Sequence, residues 1–343
     1  MSMIRAIAGG AAAALLLATG VGAQTTITGA GATFPYPIYS KWFDEYRRLH
    51  PDVQINYQSI GSGGGIRQIQ AGTVDFGATD GPMTDAQIAK AAVKVLHLPT
   101  VLGAVVPIYN VAGVGQPVRF TPDALVGIFL GSITKWNDPS IAKANPGVTL
   151  PGADIVVVHR SDGSGTTYVW TDYLSKVSDA WKTKVGRNTA VRWPVGLGGK
   201  GNEGVTGLVK QTPNAIGYVE LVYALQNKLA FGMVQNPAGT FIKADLPSVT
   251  EAAAAAVKSM PGDFRVSITA APGARAYPVS SFTWLLVPQQ PADPRKGAAL
   301  VAFIRWALSD GQKMAETLGY APLPAEVVAR ELETLKSIKV AGR

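Results

Sequence analysis

Apolar positions along this chain switch repeatedly between the twofold alternation of strands and the three-and-four spacing of helices. Thr26-Ile27-Thr28 reads as a short strand and the glycine-rich residues 29–35 as a turn. Ile38, Tyr39, Trp42, Phe43, Tyr46 and Leu49 then mark one face of a helix, with Pro35 or Pro37 suited to its first turn. Val53, Ile55 and Tyr57 alternate as a strand, residues 60–65 form a second turn with Ser62 placed to cap, and Ile66 and Ile69 open a second helix. Residues 73–78 make a strand that ends in Thr79-Asp80-Gly81-Pro82. The unit returns as the apolar strand 155–158, the turn Arg160-Ser161-Asp162-Gly163-Ser164-Gly165-Thr166-Thr167, and a helix carrying Val169, Trp170, Tyr173, Leu174 and Val177 on one face.

Between and beyond these units the pattern is plainer. Residues 101–114 are nearly uncharged, but Pro107 and Asn110 interrupt them, which predicts a buried strand and its connection rather than a membrane span. Helical spacing resumes after Thr121 with Leu125, Ile128 and Phe129. Gly196, Gly198 and Gly201 have dinucleotide-fingerprint spacing, yet no acidic residue closes a strand about 20 residues on to hold a ribose, so a structural glycine loop before a helix is expected. Residues 215–219 read as a strand, and Ser248-Val249-Thr250-Glu251 as a capping box opening a helix that runs to Lys258. Trp284-Leu285-Leu286-Val287 is an apolar strand; Leu300, Val301, Ile304, Ala307 and Leu308 line a long helix with Gly319 as its stop; residues 326–338 form a last amphipathic helix. Strands alternating with helices predict an α/β fold built on a mainly parallel sheet.

Composition narrows the function. Hydrophobic residues at 47% against 16% charged describe a globular chain, and 343 residues suffice for two lobes. Without cysteine there is no disulfide, thiolate metal site or cysteine nucleophile, and His50, His97 and His159 are too few for a multi-histidine metal centre. Arg5, the apolar residues 11–17 and Val21-Gly22-Ala23 predict a secretory signal over residues 1–23, cleaved after Ala23, and hence a periplasmic protein. Loss of Arg5 with the signal lowers the formal charge by one, from +8 to +7. The lysines and arginines are scattered, without a basic stripe or interleaved aromatics, which points away from nucleic acid and towards a small anionic ligand or an anionic surface.

The turn at residues 160–167 carries the chemistry. Free N–H groups at a helix start bear partial positive charge; Ser164, Thr166 and Thr167 add hydroxyls, and Arg160 adds a full charge in a fork shaped for an oxyanion. Taken alone, the stretch is equally compatible with an ordinary capped helix start and a surface arginine. The three glycines after Ser62 let backbone approach a ligand, and Asp80 puts a carboxylate at a strand's C-terminal end, where ligands lie in open α/β sheets. An enzymatic reading, a secreted phosphatase using His159, Asp162 and Ser164, fails on geometry: three residues so close along one turn cannot form the relay, and no Gly-x-Ser-x-Gly elbow is present. Binding of another oxyanion, sulfate or molybdate, is opposed by Asp80.

These motifs, in this order, resemble the substrate-binding protein of the bacterial phosphate-specific ABC transporter. The resembling stretches are GAGATFPYP from Gly29, IGSGGG from Ile60, TVDFGATD from Thr73, GSITKWNDP from Gly131, RSDGSGT from Arg160, GLGGKGN from Gly196 and IGYVE from Ile216. IGSGGG has a glycine where a second serine is common, and residues 231–277 match only loosely. The resemblance implies a type II binding-protein fold: two α/β lobes, each a mixed sheet flanked by helices, joined by two crossing strands. One lobe would hold residues 24–107 and 279–343, the other 108–278. Carried over by motif, the phosphate ligands would be Thr33, Phe34, Ser62 and Asp80 from the first lobe and Arg160, Ser164, Gly165 and Thr166 from the second, with Asp162 fixing Arg160. The resemblance further implies no enzyme activity, no cofactor or metal, a monomer, and membrane permease subunits as partners.

Overall fold

The computed structural model describes residues 24–340; the expected signal segment 1–23 lies outside them. The strands among the described residues are β1 Thr25–Gly31, β2 Val53–Ser59, β3 Phe76–Thr79, β4 Val95–Asn110, β5 Arg119–Phe120, β6 Val156–Arg160, β7 Leu197–Gly199, β8 Ala215–Glu220, β9 Ala230–Phe231, β10 Met233–Gln235, β11 Phe241–Ile242 and β12 Ser280–Pro288. One long sheet runs β2-β1-β3-β12-β4-β8-β6-β7, with β9 beside β4, and a small sheet runs β11-β10-β5.

Two strands hold the lobes together. β4 pairs antiparallel with β12 from Val95↔Pro288 to Ala104↔Ser280, then changes partner and pairs with β8 from Val105↔Glu220 to Asn110↔Ala215. β12 pairs on its other edge with β3 through Trp284↔Thr79 and Leu286↔Gly77. All nine residues of β12 and all but Leu96 and Asn110 of β4 are buried, as expected of strands covered on both faces. Outside this pair the other strands of the long sheet run parallel: β1 between β2 and β3, and β6 between β7 and β8. The sheet is therefore mixed rather than mainly parallel, because the crossing strands must run both ways between the lobes.

Each lobe buries its own aromatic cluster. On the β1 side Tyr39, Tyr57 and Phe43 pack together and reach Phe76 and Phe303; on the β6 side Trp170, Trp193 and Phe129 surround Tyr218. Tyr39, Phe43 and Trp170 come from the helix faces read as apolar stripes, now seen as the helices Tyr36–Leu49 and Gly165–Val177; strands and other elements supply the rest. No helix among the described residues is long and apolar enough to cross a membrane.

Several local expectations are corrected. Gly61, at φ +83°, precedes the helix Ser62–Ala71, so Ser62 is its first residue and makes no capping bond. β3 begins at Phe76 rather than Thr73: Gly72 ends the helix in a left-handed turn, and the Asp75 side chain is held by Thr28 and Lys296. Asp245, not Ser248, caps the helix Leu246–Val257, and Ser248 is the reciprocal member of its capping box. The helix Pro294–Ala307 stops well before Gly319, which ends a later 3₁₀ turn.

Candidate functional site

Four strand-to-helix turns converge in the cleft between the lobes. β1 leads into Tyr36–Leu49, β2 into Ser62–Ala71, β6 into Gly165–Val177, and β7 into Gly201–Gln211. Asp80 follows the end of β3. Thr33, Phe34, Ser62, Asp80, Arg160, Ser164 and Thr166 are all at most 3% exposed. They meet across a closed cleft. A Cβ placed on Gly165 would stand 2.4 Å from both Asp80 Oδ2 and Ser62 Oγ. The Gly63 N–H, in the helix after β2, donates at 2.9 Å to the Gly163 carbonyl in the turn after β6.

Arg160 is aimed by Asp162. Its Nε donates to Oδ1 at 2.8 Å and its Nη2 to Oδ2 at 2.6 Å, a bidentate pair that leaves Nη1 directed at Thr166 Oγ1, 3.4 Å away. Gly201 N also donates to Asp162 Oδ1 at 3.0 Å. Burial disfavours the Asp162 anion, but the hydrogen bonds and charge of Arg160 outweigh it and hold the carboxyl below the ordinary value. Ser164 caps its helix by accepting Thr167 N–H at 2.9 Å, leaving its own hydrogen free. The first intrahelical bond is Tyr168 N–H to Ser164 C=O, so the amides of Gly165 and Thr166 lie in the turn that has no intrahelical acceptor. Phe34 is fully buried against Gly103, and its carbonyl accepts the Tyr320 hydroxyl at 2.6 Å.

Asp80 is the odd group in this donor-rich setting. Thr283 Oγ1 donates to its Oδ1 at 2.8 Å, and Ser62 Oγ lies 3.5 Å from Oδ2 while accepting Asp80 N–H at 3.2 Å. Burial pushes its carboxyl up to about 7, against the downward pull of the Thr283 hydroxyl, the Arg160 charge and the Ser62 hydroxyl. A carboxyl poised there shares a proton readily with a ligand oxygen.

His159 takes no part: its ring stacks on Trp193 with centroids 4.8 Å apart. The described residues contain no group of three or more acidic or histidine side chains fit to hold a metal. Sequence reasoning missed Asn202, Thr283 and Tyr223. Thr283 and Tyr223 carry no local signal, since strand and helix neighbours place them; Tyr223 reaches the Thr33 carbonyl at 2.6 Å. Asn202 could have been found, because Lys200-Gly201-Asn202 is a fourth glycine turn at a helix start, with Gly201 at φ +72°.

Known proteins share this architecture. The family model of the PBP superfamily domain matches residues 18–311. The phosphate-binding protein PstS of Xylella fastidiosa (strain Temecula1) is 47% identical over 304 residues, 88% of this chain and 82% of that protein. Among solved structures, the high-affinity periplasmic phosphate-binding protein PfluDING, bound with phosphate at pH 8.5, superposes with TM-score 0.69 at 20% identity, covering 89% of this chain and 92% of the other. An ABC-type phosphate transport receptor from Vibrio cholerae gives TM-score 0.56 at 19% identity, over 87% and 100%. At these identities the two structures speak for the fold; matched along most of its length by both family and relative, the chain belongs to the PBP superfamily and, within it, to the PstS phosphate-binding proteins.

Proposed function

We propose that this chain binds inorganic phosphate between its lobes and delivers it to the permease of a phosphate ABC importer. It is a binding protein and not an enzyme. The observation that carries the reading is a buried cleft lined by donors, Arg160 among them, with one proton-sharing acceptor, Asp80. A dehydrated phosphate needs many donors and, for its own proton, one acceptor. Thr33, Phe34, Ser62 and Asp80 act from a lobe of residues 24–107 and 279–343; Arg160, Ser164, Gly165 and Thr166 act from a lobe of residues 108–278. The change of partner along β4 at Ala104 and Val105 supports that division. The likeness to PfluDING, a periplasmic protein, and to the ABC-type receptor of Vibrio cholerae supports a periplasmic protein working with a membrane permease; the protein itself is proposed to act as a monomer.

Calorimetric titration of the mature chain with phosphate and sulfate at about pH 8 tests this, since Asp80 is then largely ionised. Phosphate can donate its proton to Asp80, whereas sulfate has none and would set acceptor against acceptor. At this pH sulfate is left to the minor, protonated form of Asp80 and should bind at least roughly tenfold more weakly than phosphate, the gap widening as pH rises. Asp80→Asn, which offers an amide N–H, should gain sulfate. Tight sulfate binding by the unmodified protein at this pH would refute the role of Asp80 and the phosphate assignment with it.

A further inference from the structure

We infer that Asn202 is a positioning residue that sets the hydrogen-bond polarity of the cleft, turning the hydroxyls of Thr33 and Thr166 into obligate donors towards a bound oxyanion. Every polar atom of the Asn202 side chain is committed. Its Oδ1 accepts the backbone N–H of Glu220 at 3.0 Å, which only an oxygen can do, so the amide orientation is fixed. Nδ2 therefore faces the cleft and donates to Thr33 Oγ1 at 2.7 Å and to Thr166 Oγ1 at 3.1 Å. The Asn202 backbone N–H gives Thr33 Oγ1 a second hydrogen bond at 3.3 Å, and Arg160 Nη1 gives one to Thr166 Oγ1 at 3.4 Å.

A hydroxyl has two acceptor lone pairs and one donor hydrogen. In both threonines the two lone pairs are filled by N–H groups, and among the described residues neither hydroxyl has an acceptor for its hydrogen. Both are buried, so water does not relieve them. An unpaired buried donor is costly, and a ligand oxygen in the cleft is the group that satisfies it. Thr33 follows β1 whereas Thr166 and Asn202 belong to helices beside β6 and β8, so the arrangement is complete only when the lobes are closed. Both Nδ2 hydrogens of Asn202 are spent within the protein, leaving no donor for the ligand. Its contribution to selectivity is indirect: with two hydroxyls barred from accepting, the acceptors open to the ligand's proton are narrowed towards Asp80, and a second proton on the ligand finds no acceptor in Thr33 or Thr166.

This inference rests on the phosphate reading, and the experiment separates the two. Phosphate affinity is measured for the unmodified protein, Asn202→Ala, Thr33→Val and the double variant, at one pH below and one above the second ionisation of phosphate. Asn202→Ala should weaken binding by roughly 10- to 100-fold. Its loss should overlap that of Thr33→Val, so that the double variant binds at least roughly threefold tighter than independent losses predict. Asn202→Ala should also tilt the pH profile towards the dihydrogen form, because freed lone pairs on Thr33 and Thr166 can then accept. Asn202→Asp keeps the size and the bond from Glu220 N–H but withdraws the donors, and should bind more weakly than Asn202→Ala above the ionisation of the new carboxyl. It also provides the comparison should the alanine variant fold poorly. Independent losses in the cycle, or a pH profile parallel to that of the unmodified protein, would overturn the role of Asn202 while leaving phosphate binding intact. Failure of the unmodified protein to bind phosphate would overturn both readings.

Discussion

Gly165→Ala should hold the cleft ajar without harming the lobe that carries it. Residue 165 is the first position of the helix Gly165–Val177, and its φ lies outside the left-handed range, so alanine fits the local backbone. The three atoms nearest the added methyl all lie across the cleft: Asp80 Oδ2 and Ser62 Oγ at 2.4 Å and the Asp80 backbone nitrogen at 2.6 Å, where ordinary contact begins at 3.4 Å. Rotating the Asp80 side chain cannot relieve a backbone clash, and it would break the bond from Thr283. The lobes must therefore separate by about 1 Å or store the strain, and overpacking of this kind costs about 1–3 kcal/mol. Charged to the closed state alone, that weakens phosphate roughly 5- to 150-fold. Calorimetry should report the loss, and small-angle scattering with saturating phosphate should show a larger radius than the unmodified complex, while the thermal midpoint of the ligand-free protein stays put. Unchanged affinity together with an unchanged radius would refute the claim that Gly165 is a closure contact.

Three further outcomes are expected. The Asp80 carboxyl, pushed up to about 7 mainly by burial, can donate to sulfate once protonated; sulfate affinity should fall about tenfold per pH unit above that value and level off below it, and Asp80→Asn should flatten the profile in a calorimetric pH series. Glu331 is fully buried, its two carboxyl oxygens have no hydrogen-bond partner among the described residues, and burial raises it well above its ordinary 4.5. The folded state then holds a proton that the unfolded state gives up, so the stabilising effect of protonation is full below 4.5 and is lost as pH rises. Urea midpoints of Glu331→Gln should match the unmodified protein at low pH and exceed it at neutral pH; equal pH dependence would contradict this. Gly207 lies inside the helix Gly201–Gln211 with open space where a Cβ would stand, so Gly207→Ala should raise the unfolding free energy by about 0.5–1 kcal/mol, read from urea denaturation, and leave phosphate affinity unchanged.

What the sequence determined by itself is whatever depends on near neighbours. The stripe from Ile38 to Leu49 specified a helix and the face it buries, and the glycine turns after β1, β2 and β6 specified helix starts whose first amides lack an i−4 helical acceptor, because both properties follow from residues within a few positions of one another. Arg160 and Asp162 were legible as a pair for the same reason, lying two residues apart on one turn. Capping was less legible: Ser62 and Ser248 each sit where a cap belongs, and only the path of the chain before them gave those positions to Gly61 and Asp245. The tertiary structure alone decided what lies far apart in the chain. That β4 changes partner from β12 to β8, that Thr283 holds Asp80 across 203 residues, and that Asn202 joins Thr33 to Thr166 depend on sheet pairing and lobe closure. The poise of Asp80 near neutrality belongs to the same class, since an aspartate's affinity for its proton is set by the water excluded around it, and only the closed cleft excludes that water.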